Sequence, residues 1–232
     1  MNYNLEEHRS SYLSYHKNRF DFLLQKIDSL YLNQDFRILD IGRGPFTKIL
    51  SEKYTNVSSL GLDLNSTLLD KTNPVGIDVV PHIIFDLNNS VNSKLWIRCD
   101  KFHLIIFAEV IEHLIIHPEC VLRFLDSILE PNGYIIIQTP NAVSISKRIK
   151  MILGKQPFNE YNIDGEIGSH HYREYTKSEL CKYSKNVGLK IIEHKFLTYF
   201  SSSTLLKTII IRMLNIIPSF RSGQTIILKK CN

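Results

Sequence analysis

The chain has 232 residues, 44% of them hydrophobic and 22% charged, which suits one well-buried domain and excludes disordered, fibrous and low-complexity classes. Its net charge of +5 is uneven: residues 1–139 carry 13 Lys and Arg against 17 Asp and Glu (net −4), and residues 140–232 carry 15 against 6 (net +9). That asymmetry reads as an anionic substrate or surface near the later part, or as solvated lysines on helix faces.

In chain order, Leu5, Tyr12, Tyr15, Phe20, Leu23, Leu24, Ile27 and Leu30 fall at helical spacing and predict an N-terminal helix over 5–32, broken once. Short apolar runs then alternate with helical patterns: strand Phe36–Ile41, helix Pro45–Tyr54, strands Val57–Leu62, His82–Phe85 and Phe102–Phe107, helix Glu119–Glu130, strand Tyr134–Thr139. This alternation implies right-handed crossovers and a parallel sheet. Leu129-Glu-Pro-Asn-Gly133 is a turn in which Gly133 supplies the permissive φ. Gly154–Ser169 is a loop long enough to be a lid, and Thr176-Lys-Ser-Glu179 is a capping box opening a helix that Gly188 ends. After strand Lys190–Leu197, Thr204–Pro218 reads as a basic amphipathic helix that either packs on the domain or lies on a bilayer surface. Thr225–Lys230 is a last strand, reached without a crossover helix and so antiparallel.

One domain is expected, with 1–34 as an N-terminal helical segment, 35–141 as the strand–helix core and 142–232 as the later loops, amphipathic helix and last strands. Cys99, Cys120, Cys181 and Cys231 lie too far apart for a zinc knot or disulfide framework and read as reduced, mostly buried thiols. Glu6, Glu7, His8 and Arg9 offer no apolar leader, and no apolar run reaches spanning length, so the expected location is the cytoplasm.

Gly42 and Gly44 stand where a strand turns into a helix, so the backbone can approach a ligand closely. Asp63 ends the next strand, where a carboxylate can accept ribose hydroxyls. A dinucleotide fingerprint would carry a third glycine where this chain has Thr47, which argues against a nicotinamide enzyme.

Arg37–Thr47, Gly61–Asn65, Phe85-Asp-Leu-Asn88, Phe107–Leu114, Pro131-Asn-Gly133 and Gln138-Thr-Pro-Asn141 together resemble the ordered motifs of class I S-adenosylmethionine-dependent methyltransferases. The resemblance implies a Rossmann-like α/β fold: a seven-stranded, mostly parallel sheet with an antiparallel last strand and helices on both faces. It implies that Asp40, Gly42 and Gly44 hold the methionine part of S-adenosylmethionine, Asp63 with Leu64 the ribose, and Asp86 with Leu87 the adenine, while Glu109 lies under the sulfonium. The family usually has a glycine where this chain has Phe46 and a small residue where it has Arg43. Phe46 could narrow the cofactor floor.

A sugar or alcohol hydroxyl needs a base or a metal to become nucleophilic. His113, His117, His170 and His171 are candidates, His113 and His171 foremost, with His117 reading better as an exposed turn residue before Pro118. Glu109, Glu112, His113 and the His171 segment are similar to two groups. One is the small-molecule O-methyltransferases acting on quinone precursors, sugars and lipid-linked intermediates. The other is the 2′-O-methyltransferases of small-RNA 3′ ends, whose divalent-metal set maps to Glu109, Glu112, His113 and His171. The preferred function is methylation of a small, sugar or lipid-linked acceptor with no metal favoured; the alternatives are metal-dependent RNA methylation and a non-catalytic cofactor- or partner-binding domain motivated by Phe46. Arg173 fits a carboxylate or phosphate, or a surface ion pair. Tyr12, Tyr15 and His16 would cover the cofactor or simply pack, and Lys147, Arg148 and Lys150 form a short basic cluster.

Overall fold

The computed structural model describes residues 5–30, 35–62, 76–158, 171–198 and 216–231, with the backbone alone for 5–12. The described residues form five α-helices, α1 (Leu5–Leu30), α2 (Pro45–Lys53), α3 (Pro118–Ser127), α4 (Ile145–Ile152) and α5 (Lys177–Val187). They also form seven strands: β1 (Ile38–Ile41), β2 (Val57–Gly61), β3 (His82–Ile84), β4 (Phe102–Ala108), β5 (Leu129–Pro140), β6 (Lys190–Leu197) and β7 (Gly223–Lys229). All seven lie in one sheet, order β3-β2-β1-β4-β5-β7-β6. Pairing is parallel from β3 through β5, and β7 runs antiparallel to both β5 and β6. This is a Rossmann-like sheet, and its last strand is antiparallel, as the missing crossover implied.

The period-2 alternation of the strands divides the apolar residues between two cores. Ile38, Leu104, Ile106, Ile136 and Ile227 pack with Phe20, Leu23 and Ile27 of α1 and Phe46 and Leu50 of α2. Leu39, Ile105, Ile135, Ile137 and Leu228 pack on the opposite face with Val121, Phe124 and Leu125 of α3 and Leu180 of α5. Asp40, alternating with Leu39 and Ile41, therefore shares the α1 side of β1.

Three local expectations need correction. The N-terminal helix runs unbroken from Leu5 to Leu30, because Phe20, Leu23 and Ile27 supply one continuous buried stripe. In the Leu129–Gly133 stretch, which opens β5, the left-handed residue is Asn132 (φ 63°) rather than Gly133. Gly133 is needed for space, since a Cβ there would lie 2.8 Å from the Glu130 carbonyl and 2.9 Å from Leu129 Cδ1. The four cysteines are unpaired, but Cys231 is exposed and the other three are half-buried. The capping box is present: Thr176 Oγ1 accepts from Glu179 N, Glu179 Oε2 accepts from Thr176 N, and Gly188 closes α5 at φ 90°.

Helix α4 (Ile145–Ile152) has no counterpart among the expected elements and contains the short basic cluster Lys147, Arg148 and Lys150. The proposed amphipathic helix Thr204–Pro218 and the lid lie mostly outside the described residues, which retain Ile216–Pro218 and 154–158 of them. No described helix is long and apolar enough to cross a membrane.

Candidate active site

The site is built at the carboxyl ends of β1, β4 and β5. After β1 the chain turns through Gly42, whose φ of 86° favours glycine and whose added Cβ would stand 3.3 Å from Val110 Cγ2. Gly44 differs. Its backbone is extended (φ −174°), and a Cβ there would meet nothing closer than the Gly42 carbonyl at 4.0 Å. Among the described residues neither strain nor crowding explains glycine at 44. Thr47 ties this turn to the strand: its Oγ1 donates to Asp40 Oδ2 at 2.6 Å and accepts from Gly44 N at 2.9 Å. Burial pushes the Asp40 carboxyl up to about 7, against the opposing pull of the Thr47 hydrogen bond and the Arg19 charge.

Phe46 does not enter the turn. It stacks on Phe20 at 4.9 Å in the α1–α2 core, which removes the narrowed floor and with it the motive for a non-catalytic reading. Arg43 turns toward residues 77–80, donating to the Ile77 and Val80 carbonyls. Asp86 caps a 3-10 turn by accepting at Oδ1 from Asn88 N (2.9 Å), and Leu87 is buried in the core on the α3 side. Asp63, Leu64 and His170 lie outside the described residues.

Glu109 directly follows β4 in a left-handed conformation (φ 55°), with its N–H donating to the Gln138 carbonyl at 2.7 Å. Glu112, in the next turn, is fully buried, and its Oε2 accepts from Thr139 Oγ1 of β5 at 2.9 Å. Both carboxyls keep one buried oxygen, Oε1, with no hydrogen-bond partner. Burial raises both carboxyls above the usual carboxylate range, Glu112 well above it because the Glu109 charge adds to the effect.

The Glu112 carbonyl accepts from Tyr172 N (2.8 Å) and Arg173 N (3.3 Å), which draws the segment before α5 over the strand ends. His171 thereby meets His113 edge-to-face, ring centroids 4.9 Å apart. One donor atom each from Glu112, His113 and His171 lies within 4.8 Å of the others, and among the described residues this is the grouping that could hold a metal ion. Burial, with His113 and Lys147 nearby, lowers His171 to about 4, so its imidazole is neutral at physiological pH. Of the four residues in the expected metal set, Glu109 is the one outside this trio, its carboxyl lying beside that of Glu112 and 4.0 Å from Arg19 Nη1.

Four further residues complete the site. Arg19 of α1 is 6% exposed, and its Nε is buried without a partner. Lys147 of α4 pairs with Glu174 and donates to the Asn141 carbonyl at 3.1 Å; burial and Lys150 lower it to about 8. Glu174 also meets His171 Nδ1 at 3.3 Å. Thr139 orients Glu112. Arg19 carried a readable sign, a charge at i−4 and i−8 from Leu23 and Ile27 on the apolar stripe. Arg173 forms the ion pair with Glu179, and His117 is an exposed N-cap whose Nδ1 accepts from Glu119 N at 3.3 Å.

The family model for a methyltransferase domain matches residues 15–194. A putative methyltransferase solved with the Trm112 activator of Haloferax volcanii is similar in fold, with a TM-score of 0.63 at 11% identity over 97% of this chain and 95% of that one. An S-adenosylmethionine-dependent methyltransferase from Clostridium acetobutylicum gives 0.60 at 16% identity over 94% and 92%. The N-methyltransferase NodS of Bradyrhizobium japonicum, solved with S-adenosylhomocysteine, gives 0.57 at 12% identity over 94% and 88%. No curated protein sequence matches the chain.

Proposed function

The chain belongs to the methyltransferase-domain family, and from that premise we propose that it uses S-adenosylmethionine to methylate a hydroxyl oxygen of a small, sugar or lipid-linked acceptor. The observation that carries this reading is the convergence of Glu112, His113 and His171 beside the glycine turn. An alcohol is a poor nucleophile until its proton is taken or its oxygen is bound to a cation. A buried carboxyl, the neutral imidazole of His171 and the His113 ring beside it are suited to either task.

The residues fit the cofactor. The open face of Gly44 leaves room for it, Asp40 and Thr47 hold the turn, and the unpartnered Nε of Arg19 suits its carboxylate. When bound, S-adenosylmethionine supplies a methyl group on an activated sulfonium. The chain then has to align the acceptor, exclude water and receive a proton. Helix α1 covers the turn through Phe20 and Arg19. His171, neutral and backed by Glu174, takes the hydroxyl proton at its free ring nitrogen, and His113 orients the acceptor.

The trio also fits a divalent cation, because the orphaned Oε1 of Glu112 and the two imidazoles form a mixed oxygen–nitrogen donor set. When bound, such a cation supplies Lewis-acid activation of the hydroxyl. Because this trio is three of the four positions onto which the resemblance maps the metal set of the RNA 3′-terminal 2′-O-methyltransferases, it supports that acceptor as a second reading. Titrating manganese into protein saturated with S-adenosylhomocysteine tests both. Stoichiometric uptake lost in His171→Ala, with methylation of RNA termini that weakens steeply as salt rises, favours RNA. Methylation of small hydroxyl acceptors regardless of salt favours the first reading, and cofactor binding with no hydroxyl acceptor in a broad screen rejects O-methylation.

A further inference from the structure

Helix α4 is inverted for a helix of a globular domain. Ile145, Ile149, Ile152 and Leu153 recur at i, i+4, i+7 and i+8 and so share one face, yet no residue of the helix is buried. Ile149 is 47% exposed, Met151 63%, Ile152 84% and Leu153 63%. The position turned into the protein is held by a charge, Lys147, rooted at Glu174 and the Asn141 carbonyl.

This apolar face continues onto a neighbouring turn. The Arg148 guanidinium lies 5.4 Å from the centre of the Phe220 ring, which seats α4 beside Ile216 and Ile217, themselves 78% and 39% exposed. From Asn141 to Phe158 the chain has no Asp or Glu, but carries Lys147, Arg148, Lys150 and Lys155, the last three exposed. An apolar helix face edged with cations and free of acids matches an interface of acyl chains beneath anionic headgroups. A second copy of the chain would instead bring the same positive rim against itself, which repels.

We propose that α4, together with the Ile216–Ile217 turn, docks on the anionic surface of a lipid bilayer. Resting on the methyl-transfer reading, this narrows the acceptor to a lipid-linked hydroxyl compound, because Lys147 roots the docked helix next to His171 and places the site at the headgroup boundary.

The test is co-sedimentation of the full chain with phosphatidylcholine vesicles made with and without phosphatidylglycerol, alongside calorimetric titration of S-adenosylhomocysteine. Expected are binding to the phosphatidylglycerol vesicles that weakens with salt, and a loss of about tenfold in Ile152→Asp and in Lys150→Glu. Both variants alter exposed side chains, so their cofactor affinity and melting temperature should match the parent chain and report intact folding. Absence of binding to phosphatidylglycerol vesicles, or an Ile152→Asp chain that binds them as the parent does, overturns the proposal. So does a solution dimer that Ile152→Asp dissociates while vesicles are ignored. Vesicle binding without cofactor binding would support docking and count against the methyl-transfer reading alone.

Discussion

Arg19 reaches from α1 to the two carboxyls beside the glycine turn, Asp40 and Glu109, and its Nε is buried without a partner. Arg19→Gln is therefore expected to weaken S-adenosylhomocysteine binding by at least about tenfold, the worth of one charged hydrogen bond, with Arg19→Lys recovering part of it in the same titration. An unchanged dissociation constant would assign Arg19 to packing. The carboxyl pair makes a second prediction. Glu109 and Glu112 are pushed toward their protonated forms, whereas His171, lowered to about 4, has no proton to lose at pH 7. Manganese uptake should release protons from the carboxyls, seen as a heat that changes with the ionisation enthalpy of the buffer. Asp40, Gly42, Gly44, Glu109, Glu112, His113 and His171 were legible because their spacing is local or follows strand ends. Lys147 and Glu174 were not, because nothing in the sequence tells a buried lysine in a short basic cluster from a solvated one.

At the scale of elements, three glycines that look alike in sequence do different work. Gly42→Ala and Gly133→Ala should each destabilise the fold by about 1–3 kcal/mol, the first through its left-handed φ, the second by overpacking against Glu130 and Leu129. Gly44→Ala should leave urea unfolding within about 0.5 kcal/mol of the parent chain and yet lose cofactor affinity, because its Cβ enters only the space the ligand needs. A destabilised Gly44→Ala, or one that binds normally, would remove that assignment. Boundaries of β6 and α5 were legible from the capping box and Gly188. Helix α4 was not, because pattern reading assumes that apolar residues face inward, and here they face out.

For the whole molecule, the alternation of apolar residues along β1, β4 and β5 announced a sheet covered on both faces, but it also carried Asp40 into the interior. Its carboxyl is raised from the ordinary 3.8 to about 7, so between those values the folded chain binds more protons than the unfolded one, and this group's contribution to stability falls as pH rises. His171, lowered from 6.5 to about 4, acts oppositely: its contribution is present above 6.5 and is lost as pH falls toward 4. The two nearly oppose each other over one window. In the apo protein Asp40→Asn should unmask a melting temperature that climbs from pH 4.5 to 6.5 more steeply than in the parent chain, and an identical slope would show that Asp40 stays ionised. What the sequence left open was where the last strand goes, since a missing crossover gives direction and not position. Strand β7 is threaded between β5 and β6, and its Ile226, Ile227 and Leu228 are all buried. During synthesis, then, β6 has no partner to lie against and β5 keeps a bare edge until residues 223–229 clear the ribosome, so the nascent chain is a client for chaperones up to that moment, and a premature stop just before it yields no partly working enzyme.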